Sequence, residues 1–224
     1  MLTYSYPQGW GASGAFAMPS TGNTPTVTPD RAPHPQKALK YRYDSGIEEW
    51  TCEECVVMMA RKPFAEGGMR VCYKMYEIDQ EGKHAPGVAK VFKDDAFNRE
   101  VDDEIAKAYF DECMTQTVAD SFARQWNELL GDSVANQKFS CMFLPVRVMQ
   151  FDGKVGRHSL CNCEPYLQGD YIKHNDNDGN VETNKEVPQS FSHFTWEYSN
   201  QLLLVCDIQG ILFAAVFLTV LCTA

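Results

Sequence analysis

No apolar run in this sequence reaches the roughly 20 residues that a bilayer-crossing helix needs. The stretch ILFAAVFLTVLCTA that closes the chain is too short, and Asp207 and Gln209 interrupt any extension upstream. A membrane role is therefore not expected. A basic excess is also missing: 20 Lys and Arg stand against 30 Asp and Glu, a net charge of −10. That balance disfavours nucleic acid as a partner, because phosphate-backbone binding needs a positive surface. Met1 is followed by neither a basic segment nor a sustained apolar one, and nine cysteines cannot all pair. Free thiols in a reducing cytoplasm are the expectation. Cys52-Glu-Glu-Cys55 has no second half with zinc-ribbon spacing, since Cys161-Asn-Cys163 is one residue too tight. DNDG at 176–179 lacks the spacing and closing glutamate of a calcium loop. Internal repeats are absent.

What is present divides into three stretches. Residues 1–38 are rich in Gly, Pro, Ser and Thr and keep no hydrophobic period, which predicts a disordered leader. Order is expected over 39–210. There KYRYDSGIEEWTCEECVVMMA holds two strand-like runs around an Asp44-Ser45-Gly46 turn. MRVCYKMYEI and GVAKVF read as strands, and KFSCMFLPVRVMQF as one or two more. Between them Val101, Ile105, Tyr109, Cys113, Ala119, Phe122, Ala123, Trp126 and Leu130 recur at helical spacing, as one helix or two, with Gly131 placed to end it. Leu202–Cys206 reads as a buried strand. Strands, a long helix and further strands predict an α+β fold. The apolar tail at 211–224 fits a core strand, a helix or sequence foreign to the fold.

Four places carry candidate chemistry. PFAEGGMRVCYK at 63–74 is a glycine-containing loop entering a strand, with backbone N–H groups suited to a phosphate and Arg70 beside it; a plain turn is the simpler reading. Lys90 lies inside an apolar strand and needs a partner if it points inward. CEPYLQGDYIKHNDNDGN at 163–180 joins an apolar piece to an Asn/Asp-rich loop, where Lys173, Asn175 and Asn177 suit phosphates and an Asx turn suits equally well. Asp207 and Gln209, two apart at a strand end, project the same way and offer oxygen ligands to Mg²⁺.

The order PFAEGGMR, VAK, YFDECMTQ, EPYLQGDYIKHNDNDG and FSHFTWEYSNQLLLVCDIQG resembles the atypical α-kinase family, most of all its elongation factor 2 kinase branch, over about Arg42 to Gly210. The resemblance implies a two-lobed atypical protein-kinase-like fold, with a curved antiparallel N-lobe sheet, a long helix and an incomplete C-lobe. It implies Mg-ATP as donor and a protein serine or threonine as acceptor, with an elongation factor 2-like substrate suggested. Lys90 would hold ATP phosphates and Arg70 would assist. Glu164 and Leu167 would form the adenine hinge, with Lys173 and Asn177 near the phosphates. Asp207 and Gln209 would bind Mg²⁺, making Lys90 and Asp207 the catalytic pair. Glu112 stands where the family usually has aspartate.

The family pattern continues after DIQG into a catalytic Thr-Asp-Pro loop, then a histidine and two cysteines that hold structural zinc together with a histidine matching His193. Here Gly210 is followed by ILFAAVFLTVLCTA, and no Thr-Asp-Pro occurs. The expectation is an α-type serine/threonine kinase domain cut within its C-lobe, impaired in transfer, with an incomplete zinc site. The alternative is a truncated pseudokinase that binds nucleotide or a partner.

Overall fold

Strand pairing organises the computed structural model, which describes residues 34–93, 102–131, 137–155, 158–183, 186–213 and 216–221. The leader read at 1–38 lies outside these residues as far as Pro33, and strand β1 (Gln36–Asp44) already begins within its last residues. β1 turns through residues 45–48 into β2 (Glu49–Met59), in register from Asp44↔Glu49 to Gln36↔Val57. Asp44 fixes that turn by accepting the Gly46 N–H at 2.8 Å. β3 (Ala65–Glu66), β4 (Arg70–Ile78) and β5 (His84–Phe92) follow, and β7 (Arg147–Val155) and β8 (His158–Pro165) complete the first sheet. Its order is β2-β1-β7-β8-β5-β4-β3, and β2 also pairs with β4. The expected curved sheet is therefore curved until it closes on itself.

Alternation along these strands sorts side chains between two faces. Ala38, Val57, Met75, Ala89, Val91, Met149, Phe151, Cys161 and Cys163 form the interior cluster. Burial of each larger one contributes roughly 1.5–3 kcal/mol relative to exposure. Their neighbours Lys90, Phe92, Asn162 and Glu164 take the opposite face. Gly87, on the interior face with Ala89 and Val91, lets β5 and β8 approach, since a Cβ would lie 3.2 Å from the Glu164 backbone carbonyl and 3.5 Å from Cys163 Sγ.

α1 (Asp102–Leu130) is one helix, not two. At 1.5 Å per residue its 29 residues span roughly 43 Å, enough to serve two cores. Tyr109 and Cys113 pack with Phe92, Val148 and Leu160 of the first sheet and with Val146 just before β7. Ala119 and Ala123 pack with Cys141, Phe143, Phe191, Val205 and Ile208 of the other lobe. Gly131 ends the helix with φ 70°, a left-handed conformation that costs glycine little.

The second sheet runs β6 (Cys141–Phe143), β11 (Val216–Leu221), β10 (Ile208–Phe213), β9 (Ile172–Lys173). The tail thus enters the fold as strand, with β11 antiparallel to β10 and parallel to β6. α2 (Glu186–Tyr198) buries Val187, Pro188, Phe191 and Thr195. Pro188 fits because it sits in the first turn, where its missing N–H has no helical acceptor. The strand expected over Leu202–Cys206 is not formed: this stretch is extended loop, with Leu202, Leu203 and Leu204 exposed. The strand begins at Ile208.

Candidate active site

Lys90 emerges on the outer face of the closed sheet and is buried. Its ammonium lies 2.8 Å from the Glu164 carboxylate of the adjacent strand. Removing either charge alone would strand the other in a dry place, which is why such pairs are costly to break. The cross-strand partner of Lys90 on β8 is Asn162, and on β4 it is Cys72. Burial pushes the Cys72 thiol up, and the nearby Lys90 ammonium partly opposes that.

Arg70 opens β4 one register step further along this face. Its guanidinium forms an ion pair with buried Glu112 of α1 and donates to Asn162 Oδ1 at 3.0 Å. It also stacks 3.7 Å above the Phe92 ring. Asn162 returns a bond from Nδ2 to the Tyr109 carbonyl at 2.9 Å, and the Tyr109 hydroxyl accepts the Phe92 N–H at 2.9 Å. Helix and sheet are thus stitched by polar groups around the two cations. The glycine pair forms a tight β3–β4 turn, closed by Gly67 N–H to the Arg70 carbonyl at 2.8 Å. It places Arg70 at a strand start.

A second polar cluster sits on the β9–β10 edge of the other sheet. The Asp207 carboxylate lies 3.0 Å from the Lys173 ammonium, and Gln209 Nε2 donates to it at 2.9 Å. That bond brings the two side chains together, although Asp207 lies before the start of β10 and not at the end of a strand over Leu202–Cys206. Asp207 supplies the larger part of the effect that raises the Lys173 ammonium above its ordinary value. Asp207 is buried and holds φ 55°. For a residue with a side chain this conformation costs on the order of 1–3 kcal/mol, so its surroundings must hold it. Gln209 and Lys173 face each other across the β9–β10 pair.

Between the clusters, Glu164 near the end of β8 leads through half-buried Leu167 to β9. Asn177 lies exposed on a turn built by Asp176, whose Oδ1 accepts the Asp178 and Asn180 N–H groups at 3.0 and 2.8 Å. That is the Asx arrangement. His193 is exposed on α2, and among the described residues no three His, Cys, Asp or Glu side chains gather as a metal group. Cys52, Cys55, Cys72, Cys113, Cys141, Cys161, Cys163 and Cys206 are free thiols. Asn162 was not singled out as a site residue from the sequence. Asn162 hides between Cys161 and Cys163, yet a polar residue opposite two cysteines in an apolar strand marks the other face. Asn175 was grouped with the phosphate-facing loop, but it is buried.

A closed antiparallel lobe presenting a buried lysine and arginine, joined by one helix to a lobe presenting an acidic strand end, defines the architecture of an atypical kinase. Residues 65–221 match the Alpha-kinase family, and the chain belongs to it. The match runs past Gly210 through the β10–β11 hairpin. Among curated relatives, myosin heavy chain kinase B of Dictyostelium discoideum is 32% identical over 179 residues, 79% of this chain and 22% of that protein. Eukaryotic elongation factor 2 kinase of Homo sapiens is 30% identical over 184 residues, 79% of this chain and 23% of that protein. The chain thus spans under a quarter of the length of these relatives. The α-kinase domain of myosin heavy chain kinase A, solved in complex with ADP, superposes with a TM-score of 0.67 at 25% identity, covering 83% of this chain and 81% of that one.

Proposed function

We propose that this chain is an α-type serine/threonine protein kinase domain that binds Mg-ATP and transfers phosphate poorly. The observation that carries the reading is the buried Lys90–Glu164 pair beside Arg70 on one face of the first lobe. Two cations held in a dry environment by carboxylates and an amide are poised to take a triphosphate. In this reading Lys90 holds the α- and β-phosphates and Arg70, oriented by Glu112, assists. The backbone around Glu164 and Leu167 receives the adenine, and Lys173 and Asn177 lie toward the phosphates. Asp207 and Gln209 offer a carboxylate and an amide carbonyl, hard donors suited to Mg²⁺. That the carboxylate already attracts the Lys173 ammonium fits a place for a cation. Mg²⁺ there would neutralise charge on the phosphates.

Transfer is expected to be weak because the 224 residues contain no Thr-Asp-Pro. Zinc is not expected to bind tightly at His193, since structural zinc takes four ligands. The acceptor is a protein serine or threonine, with elongation factor 2 or a related factor as the suggested substrate. The free thiols suit the cytoplasm. A nucleotide-binding pseudokinase is the second reading, favoured by the β10–β11 hairpin that follows Asp207 directly.

Calorimetric titration with Mg-ATP and label transfer from ATP to a basic peptide test both. Lys90→Ala is expected to weaken nucleotide binding roughly tenfold or more, because a charged hydrogen bond is worth about 1.5–3 kcal/mol. Transfer that disappears in this variant establishes the kinase; binding without transfer establishes the pseudokinase. A cooperatively folded chain that binds no nucleotide overturns both.

A further inference from the structure

Asn175 makes a set of contacts that none of the proposed roles uses. It is buried, and its Oδ1 accepts the N–H of Ile208 at 2.8 Å. Its Nδ2 donates to Gln189 Oε1 at 2.8 Å and to Ser192 Oγ at 3.2 Å, both on α2. The orientation of the amide follows from these partners, because a backbone N–H can only donate and so faces the oxygen. Ile208 is the residue between Asp207 and Gln209. Its carbonyl is held as well, accepting the His174 N–H at 2.8 Å. The His174 carbonyl in turn accepts Gln189 Nε2 at 3.3 Å and the Glu182 N–H at 2.9 Å.

The backbone of Ile208 is therefore gripped on both sides, and the grip is anchored in a helix. Asp207, immediately before it, holds the left-handed conformation that a side chain disfavours. Free of the bond at Ile208 N–H, the peptide joining Asp207 to Ile208 is able to turn and Asp207 to relax toward an extended conformation. Its carboxylate then leaves Lys173 and Gln209. An asparagine is suited to this place, because it supplies one acceptor toward the strand and two donor hydrogens toward the helix without a charge beside Asp207.

We infer that Asn175 is a positioning residue, which through the Ile208 amide locks Asp207 and Gln209 into a metal-binding pair and couples that pair to α2. The inference rests on the proposed reading of Asp207 and Gln209 as metal ligands. Partners one shell removed from a metal typically change its affinity about 10–100-fold when lost.

The test uses the full 224-residue chain, with Mn²⁺ and ADP as probes. Calorimetry measures ADP affinity with and without Mn²⁺ for the wild type, Asn175→Ala, Gln189→Leu and Asp207→Ala, and hydrogen exchange is followed at the Ile208 amide. Asn175→Ala is expected to leave metal-free ADP affinity unchanged and to cut the gain from Mn²⁺ by about 10–100-fold, with faster exchange at Ile208. Gln189→Leu keeps the bond from Ile208 N–H to Asn175 but removes both the acceptor of Asn175 Nδ2 and the donor to the His174 carbonyl, so it should lose less in the same direction. It serves as the readout should Asn175→Ala fail to fold. An Mn²⁺ gain that survives in Asn175→Ala, or an equal loss of affinity with and without metal, overturns the inference. A gain that also survives in Asp207→Ala, or is absent in the wild type, refutes the ligand reading instead. Ile208 exchange then decides the clamp alone: faster exchange in Asn175→Ala supports it, and unchanged exchange overturns it.

Discussion

Lys90 and Glu164 meet where little water reaches, with side-chain exposures of 9% and 8%. Neither charge tolerates the loss of the other. Replacing Lys90 by Met leaves the carboxylate buried without its ammonium and is expected to cost about 3–5 kcal/mol. Replacing both, as Lys90→Met with Glu164→Leu, removes the stranded charge and should recover most of that loss. Urea unfolding of the two single variants and the double variant gives the coupling. Single-variant losses that simply add would show that the pair is not desolvated as described. Lys90 was legible in the sequence because a charge inside GVAKVF is an anomaly that needs a partner. Its partner was not, because Glu164 lies 74 residues on and only sheet register brings the two strands together. Asn162 was obscured by its neighbours: two cysteines draw the eye to thiol chemistry, and strand alternation puts the asparagine on the other face.

At the scale of elements, α1 was the most legible part of the chain, since its apolar residues recur at 3.6-residue spacing and glycine closes it. α2 was not read, because SHFTWEYS is rich in aromatic and β-branched residues whose helix preference is low. Its helix rests instead on packing of Phe191 and Phe194 in the second core. The converse error fell on Leu202–Cys206, where three leucines imitate a buried strand but stand in an exposed loop. The two lobes are joined through α1 by specific polar bonds as well as by apolar contact. Asn127 Nδ2 donates to the Cys141 carbonyl at 2.7 Å, and its Oδ1 accepts the Cys141 N–H at 3.0 Å. A side-chain amide thus completes the backbone pairing of β6. The adjacent helix residue, Trp126, donates from Nε1 to the Phe139 carbonyl at 2.8 Å, two residues before that strand. Asn127→Ala leaves a donor and an acceptor on Cys141 without these partners and is expected to cost about 1–3 kcal/mol. Thermal melting checks this, and Gln125→Ala, which removes a hydrogen bond from the exposed Tyr198 hydroxyl, serves as the control. Equal melting of the two would mean that water replaces the Asn127 amide freely.

For the molecule as a whole, closure of the first sheet through β2 and β4 was beyond sequence reasoning, because pairing of Val56 with Ile78 is a non-local fact. Closure creates an interior, and that interior is rich in sulfur. Burial pushes the Cys55 thiol up to about 11 and the Cys161 thiol up to about 12, and it carries Cys163 well above its ordinary value. Cys113, on the helix side, is likewise pushed up to about 11 by burial. These shifts fix the sign of the alkaline response. Below an ordinary thiol value of 9.0 both folded and unfolded chains keep these protons, and stability is fully present. Above it the unfolded chain releases them while the folded chain holds them, so stability falls as pH rises toward 11–12. Each such thiol contributes a slope of about 1.4 kcal/mol per pH unit across its window. Urea midpoints at pH 8, 9, 10 and 10.5 should therefore drop with increasing steepness. Cys161→Val keeps the volume and removes one proton, so its profile should converge on and then exceed the wild-type profile as pH rises. Parallel profiles would show that Cys161 titrates alike in both states, and the closed sheet would then not be the dry interior that its register describes.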